Sequence, residues 1–285
     1  MKFPWHKYEE LPTKRINTLQ VFITTYCNLK CNGCFARKVM GEERQHMSMD
    51  EYKAVLNTAK EKGCERITLI GGEPLLHPNL KEMILENNKA GIKTTIYTNG
   101  YFLKRYKKDE LLGAKLRVSI YCKYGNLKGI DDISESENLF DVCFMVSKTT
   151  TVQEMLESAE HLEKNRGCKV FFISSLRELD NPNKEFFEDT ELTMPVMEYK
   201  KLVHEFLELY NGDMEIHVSK RGVFESTLNC GGNKCKFSNY FIGGKIIQCP
   251  FDIVNEKFQG DYKYDERHCQ HNSSCLMSKV VFKKK

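Results

Sequence analysis

Three cysteines fall at spacings of four and three in the stretch Cys27-Asn28-Leu29-Lys30-Cys31-Asn32-Gly33-Cys34. Thiolates are soft ligands, and three on one short loop is one fewer than structural zinc normally takes. For a cubane of four irons the same three thiolates leave one iron without a protein ligand, a vacancy that chemistry can use. Further on, Gly71-Gly72-Glu73-Pro74 sets two residues without side chains beside a carboxylate. Backbone can approach a ligand closely there, and Glu73 can add a charge-assisted acceptor. A second group of thiols, Cys230, Cys235, Cys249, Cys269 and Cys275, lies near the carboxyl end. Twelve cysteines in total, with no secretion signal in the first ten residues, point to metal or redox work before structural disulfides.

Such residues need elements to hold them. The chain has 285 residues, 41% of them apolar, enough for one large α/β domain and a small appendage. Lys and Arg number 43 against 39 Asp and Glu, a formal charge of +4. That balance argues against nucleic acid or an anionic membrane as the main partner. No apolar run approaches the roughly 20 residues that span a bilayer, so a cytoplasmic protein is expected.

Short β-branched or aromatic runs at 19–25, 66–70, 93–98, 116–121, 141–146 and 169–174 predict six strands. The helices between them carry start signals. Ser48 with Glu51, and Thr151 with Glu154, each form a capping box ahead of an apolar stripe, the second stripe stopping at Gly167. Pro78 suits a first helical position, and Tyr199, Leu202, Val203, Phe206, Leu207 and Tyr210 mark an amphipathic helix closed by Asn211 and Gly212. Strand and helix in alternation imply right-handed crossovers and a parallel sheet, either open and doubly wound or a full or partial barrel. In all of these the chemistry gathers at the carboxyl ends of the strands. Composition shifts near Arg221, after which glycine and cysteine replace helical patterning.

Cys27-x3-Cys31-x2-Cys34 after the first strand run, with Gly71-Gly72-Glu73-Pro74 after the second, resembles the paired signature of the radical S-adenosylmethionine (SAM) superfamily. The resemblance implies that Cys27, Cys31 and Cys34 hold a [4Fe-4S] cluster. The amine and carboxylate of SAM would chelate its open iron, and one electron would release a 5′-deoxyadenosyl radical that takes hydrogen from a substrate. It also implies SAM contacts from Gly71, Gly72, Glu73 and Pro74, and from Thr98 and Asn99 after the third run and Ser119 on the fourth. Many relatives carry an aromatic residue just before the third cysteine. Here Gly33 stands there, which transfers the adenine contact to Phe35 or to backbone. The fold implied is α/β, a partial (β/α)6 barrel over 19–218 behind an N-terminal extension at 1–18, with a small C-terminal cysteine-rich module at 219–285.

Within that module Cys230-x4-Cys235-x13-Cys249, followed by Cys269-x5-Cys275, resembles the auxiliary-cluster modules called SPASM and Twitch. The full SPASM pattern has more cysteines than the five present here, so one auxiliary [4Fe-4S] cluster is expected, held by Cys230, Cys235, Cys249 and Cys275, with Cys269 as the alternative. Zinc on the same thiols is the other reading. His268 and His271 beside Cys269 are read as solvated. Cys64, Cys122, Cys143 and Cys168 lie beside or inside strand runs and are expected to pack as small apolar residues. Cys122, ending the fourth run, is the exception, a thiol that could face substrate.

An extra cluster suits an oxidation that must dispose of one electron. The expected activity is therefore a radical SAM oxidoreductase acting on a small or carrier-borne molecule, fed by a donor such as flavodoxin or ferredoxin. With 26 residues ahead of Cys27, a leader-binding domain is not expected before the barrel. A peptide-modifying maturase, a glycyl-radical activase, and a non-catalytic iron-sulfur or zinc protein binding a partner are the alternatives.

Overall fold

The computed structural model describes residues 8–9, 18–31, 34, 44–61, 63–106, 110–111, 113–121, 140–166, 168–176, 194–219, 239–242, 245–247 and 279–282. Its strands are β1 (Tyr8–Glu9), β2 (Thr18–Thr24), β3 (Arg66–Gly71), β4 (Lys93–Thr98), β5 (Lys115–Tyr121), β6 (Phe140–Val146), β7 (Val170–Ser175), β8 (Glu215–Ser219), β9 (Asn239–Ile242), β10 (Lys245–Ile247) and β11 (Lys279–Phe282). Four α-helices connect them: α1 (Met49–Glu61), α2 (Leu80–Lys89), α3 (Val152–Arg166) and α4 (Val196–Leu209).

Strands β2 to β8 pair in parallel and in chain order, β2 with β3 and so on to β7 with β8. A right-handed crossover repeated in one direction puts every connecting helix on the same face. The burial pattern agrees. Val21 of β2, Leu69 of β3, Val118 of β5, Phe144 of β6, Ile173 of β7 and Val218 of β8 join one core with Tyr52 of α1, Met83 of α2, Leu162 of α3 and Phe206 of α4. The alternate residues of these strands point to the opposite, inner face, which a twisted sheet covers by curling on itself. That is a partial barrel, the α/β class expected.

Six strands lie where the apolar runs placed them, within a residue or two at each end. A seventh parallel strand, β8, was not anticipated. It is short, and Glu215 and His217 interrupt its apolar pattern. Both capping boxes form: the Glu51 carboxylate accepts from Ser48 N–H at 2.7 Å while Ser48 Oγ accepts from Glu51 N–H at 3.2 Å. Thr151 and Glu154 repeat this at 2.8 and 3.2 Å. The placement of Pro78 is corrected. It sits in a turn, and α2 starts at Leu80 with Asn79 as its N-cap, because His77 Nδ1 accepts from Asn79 N–H at 3.1 Å and holds that turn outside the helix.

The sheet is longer than the seven parallel strands. On one edge β9 pairs in parallel with β2 and β10 (Lys245–Ile247) in antiparallel with β9. On the other edge β11 pairs in antiparallel with β8, and β1 with β11. No helix among the described residues is long and apolar enough to cross a membrane.

Candidate cluster and cofactor site

The cysteine loop leaves the carboxyl end of β2 through two clamps. On one side the turn after β3 grips it. Gly72 N–H donates to Thr24 O at 2.8 Å and Glu73 N–H to Tyr26 O at 2.7 Å. On the other side the returning segment grips it. Thr25 N–H donates to Gln45 O at 3.0 Å, Gln45 N–H to Thr25 Oγ1 at 2.7 Å, Met47 N–H to Ile23 O at 2.8 Å, and Arg44 to Thr25 O at 2.7 Å. Cys27, Cys31 and Cys34 hang from that anchored entry, all three partly buried and none in a disulfide.

Gly71 and Gly72 are explained by packing. Gly71 has φ +151°, a left-handed value that favours glycine. A Cβ at Gly71 would collide with Thr24 O, and one at Gly72 with Tyr26 O and with Cβ of Cys27. The backbone closeness at these residues therefore serves first to seat the cysteine loop against β3.

Glu73 is fully enclosed, 1% exposed. Its Oε1 accepts from Thr98 Oγ1–H at 2.7 Å and Leu75 N–H at 3.0 Å, and its Oε2 from Asn99 N–H at 2.8 Å. Burial pushes its pKa up to about 7, against the pull of those three donors. The carboxylate thus pins the end of β3 to the end of β4. Pro74 opens the short helical turn Pro74–Leu76, which Glu73 caps. Thr98 Oγ1 also accepts from Gly100 N–H at 3.0 Å. Asn99 Oδ1 accepts from Tyr101 N–H at 3.1 Å, while its Nδ2 donates to Asn28 Oδ1 at 2.8 Å. Ser119 stands on the inner face of β5, paired in register with Cys143 of β6.

Phe35, Cys122, Cys230, Cys235, Cys249, Cys269 and Cys275 lie outside the described residues. Among the other cysteines, Cys168 is in the helix-side core and Cys64 packs against it. Cys143 takes an inner-face position on β6, where its thiol is buried against Met145 Sδ at 3.7 Å.

Several residues at the site gave no signal on their own. Asn28 follows Cys27 and ties the loop to β4. Tyr26 stacks on His46 with ring centroids 4.4 Å apart, and His46 meets His77 edge-on at 5.0 Å. His77 is 2% exposed. Its Nδ1 accepts from Asn79, so the proton belongs on Nε2, which donates to Met47 O at 3.0 Å. Burial lowers its pKa to about 4, which keeps the imidazole neutral.

Three soft thiolates on one short loop are the donor chemistry a four-iron cube takes, one thiolate at each of three irons. Burial, more than the nearby charges of Glu73 and Cys34, raises the Cys27 thiol above its ordinary pKa. A cationic metal site would reverse that tendency and hold the thiolate. The N–H of Leu29 already points at Cys27 Sγ from 3.4 Å.

Residues 21–135 match the family model described as the radical SAM superfamily. A GTP 3′,8-cyclase of Staphylococcus aureus strain Mu3 is 25% identical over 194 residues, which cover 65% of this chain and 54% of that protein. The chain thus spans about half the length of the curated relatives it matches. Among solved structures, SuiB of Streptococcus suis bound to its precursor peptide SuiA has a TM-score of 0.64 at 15% identity, covering 92% of this chain and 65% of that one. SuiB bound to S-adenosylmethionine has a TM-score of 0.58 at 16% identity, covering 81% and 60%. These two likenesses concern the fold. The family match begins inside β2 and takes in the cysteine loop, the Gly71–Pro74 turn and the end of β4, so residues 21–135 are similar to the radical SAM superfamily.

Proposed function

We propose that the protein cleaves SAM reductively and uses the resulting radical to take hydrogen from a small or carrier-borne substrate. The observation that carries this is the double clamp on the cysteine loop, which hangs three thiols, none in a disulfide, at the carboxyl end of β2 beside the turn pinned by Glu73. Cys27, Cys31 and Cys34 would hold the cluster. Bound there, a reduced [4Fe-4S] cluster with SAM on its open iron would supply the electron that breaks the sulfonium bond. Glu73, Thr98 and Asn99 keep the ends of β3 and β4 together beneath the cofactor. Ser119, on the inner face, would reach its ribose or carboxylate.

Cys230, Cys235, Cys249 and Cys275, or Cys269 in place of the last, are proposed to hold one auxiliary [4Fe-4S] cluster. Their number and spacing support this, and a cluster there would accept the electron left after hydrogen removal. The reaction is then an oxidation, with a flavodoxin or ferredoxin as donor in the cytoplasm. One relative is named for a nucleotide cyclisation and one fold neighbour is described with a precursor peptide, so they do not agree on a substrate.

The test is anaerobic reconstitution of the full chain, followed by reductant and SAM. Formation of 5′-deoxyadenosine, abolished in Cys27→Ala, Cys31→Ala and Cys34→Ala, is expected. About eight irons per chain, falling to about four in the triple variant, would support both clusters. Zinc without iron, or no 5′-deoxyadenosine, would refute the reading.

A further inference from the structure

On the inner face of the sheet, away from the helices, Arg117 of β5 is enclosed by aromatic rings and short of acceptors. Its guanidinium lies 5.1 Å from the ring centroid of Tyr97 on β4 and 5.7 Å from that of Phe172 on β7. Nη1 donates to Tyr97 Oη at 3.0 Å, and Nη2 reaches Asp141 Oδ2 of β6 only at 3.5 Å. Nε is buried and has no hydrogen-bond partner among the described residues. A guanidinium carries five N–H donors, and among the described residues Nε is the one without a partner. An unmatched buried donor is costly, and native structures rarely keep one without a reason.

The negative charge nearby does not satisfy it. The carboxylate of Asp141 is taken at closer range by Lys115, at 2.8 Å on the same Oδ2. The Cys143 thiol next to Ser119 is pushed up to about 11 by burial and stays neutral. Inner-face positions on β3 to β6 carry Arg66, Lys93, Lys115 and Arg117 but a single carboxylate, Asp141. Arg66 spends one donor on the neutral Thr95 Oγ1 at 2.9 Å. Arg117 still leaves 24% of its side chain open. The Nε–Nη2 edge of a guanidinium is the fork that carboxylates and phosphates take in pairs. Rings on two sides hold that fork in a fixed plane.

We propose that Arg117 anchors an anionic group of the substrate, a carboxylate or a phosphate, inside the sheet. The proposal rests on the radical SAM reading, because it takes the inner face as the reaction chamber. Arg117 lies one inner-face layer below Ser119, about 7 Å of strand rise. Thr98 of β4 is in register with Val118, between the two. A compound held by its anion at Arg117 would extend upward to the level where the Gly72 turn and Asn99 end. The anchor therefore selects substrates whose reacting carbon is a few bonds from an acid group.

The experiment uses the full chain, reconstituted anaerobically, with calorimetric titration of pyrophosphate and of glutarate at constant ionic strength and erythritol as the uncharged control. One of the two anions is expected to bind the wild type, which separates a phosphate from a carboxylate source. Arg117→Gln is expected to weaken that binding about tenfold or more, the scale of a hydrogen bond to a charged group. Asp141→Asn, which removes the competing carboxylate, is expected to strengthen it. Binding should persist at saturating SAM. The proposal is overturned if neither anion binds, if Arg117→Gln binds as wild type does, or if SAM displaces the anion. Should Arg117→Gln fail to fold, Asp141→Asn decides, and an unchanged affinity there overturns the proposal. Formation of 5′-deoxyadenosine in the same preparations reads the radical SAM assignment independently. If it forms without anion binding, the anchor alone fails; if the anion binds and it does not form, the assignment fails.

Discussion

A methyl group at Gly72 would run into the Tyr26 carbonyl and close to 3.1 Å on Cβ of Cys27, so Gly72→Ala has to push the first cysteine away from β3. We expect it to destabilise the fold by about 1–3 kcal/mol, the usual cost of overpacking. It should also lower the iron retained per chain. Urea midpoints and iron analysis check both, and an unchanged protein would remove the argument for close packing. A second residue sets a pH response. The His77 pKa is depressed to about 4 from 6.5, so below pH 6.5 the unfolded chain binds a proton that the folded one refuses. Its contribution to stability is complete above pH 6.5 and is lost as pH falls toward 4, by roughly 3 kcal/mol at most. Glu73, raised from 4.5 to about 7, works in the opposite sense. Its folded form takes up a proton first, so stability rises as pH falls from 7 to 4.5. Comparing the urea midpoints of wild type and His77→Gln from pH 4 to 7 isolates the histidine. The difference should grow toward low pH in favour of the variant, and a constant difference would contradict the assignment.

At the scale of elements, the starts of α1 and α3 are local and were readable. Ser48 and Thr151 cap separate helices through bonds to Glu51 and Glu154. Ser48→Ala and Thr151→Ala should each cost about 1 kcal/mol, and together about 2, because the two sites share no partner. Urea denaturation of the double variant checks the sum. The six expected strands were legible because each sends alternate apolar residues into one helix-covered core, as Leu116, Val118 and Ile120 do in β5. β8 was not, since its five residues spend two inner-face positions on Glu215 and His217, which bond to each other at 3.0 Å. The cysteine spacing was legible for the same reason as the caps: it is written within eight residues. What holds that loop was hidden. The bonds from Thr98 and Asn99 to Glu73, and from Asn99 to Asn28, join residues 25, 26 and 71 positions apart. A lone arginine in a strand likewise gives no hint that two rings and a shared carboxylate await it.

For the whole molecule, strand order decides where chemistry can happen. With β2 to β8 paired in sequence and the helices of the core on one face, the carboxyl ends of the strands gather the cysteine loop, the Gly71–Pro74 turn and Asn99 at one end of the sheet. The alternation of strand and helix patterns implied a parallel α/β domain, but curling of the sheet follows from strand order, which periodicity alone did not reveal. The most direct measurement is the electron paramagnetic resonance spectrum of the reduced, reconstituted chain carrying alanine at Cys230, Cys235 and Cys249, recorded with and without SAM. Three thiolates leaving one iron open predict a [4Fe-4S] signal in this variant whose g values shift when SAM is added. A signal that SAM leaves unmoved, or no cubane signal while the Cys27, Cys31 and Cys34 thiols remain intact, would contradict the account.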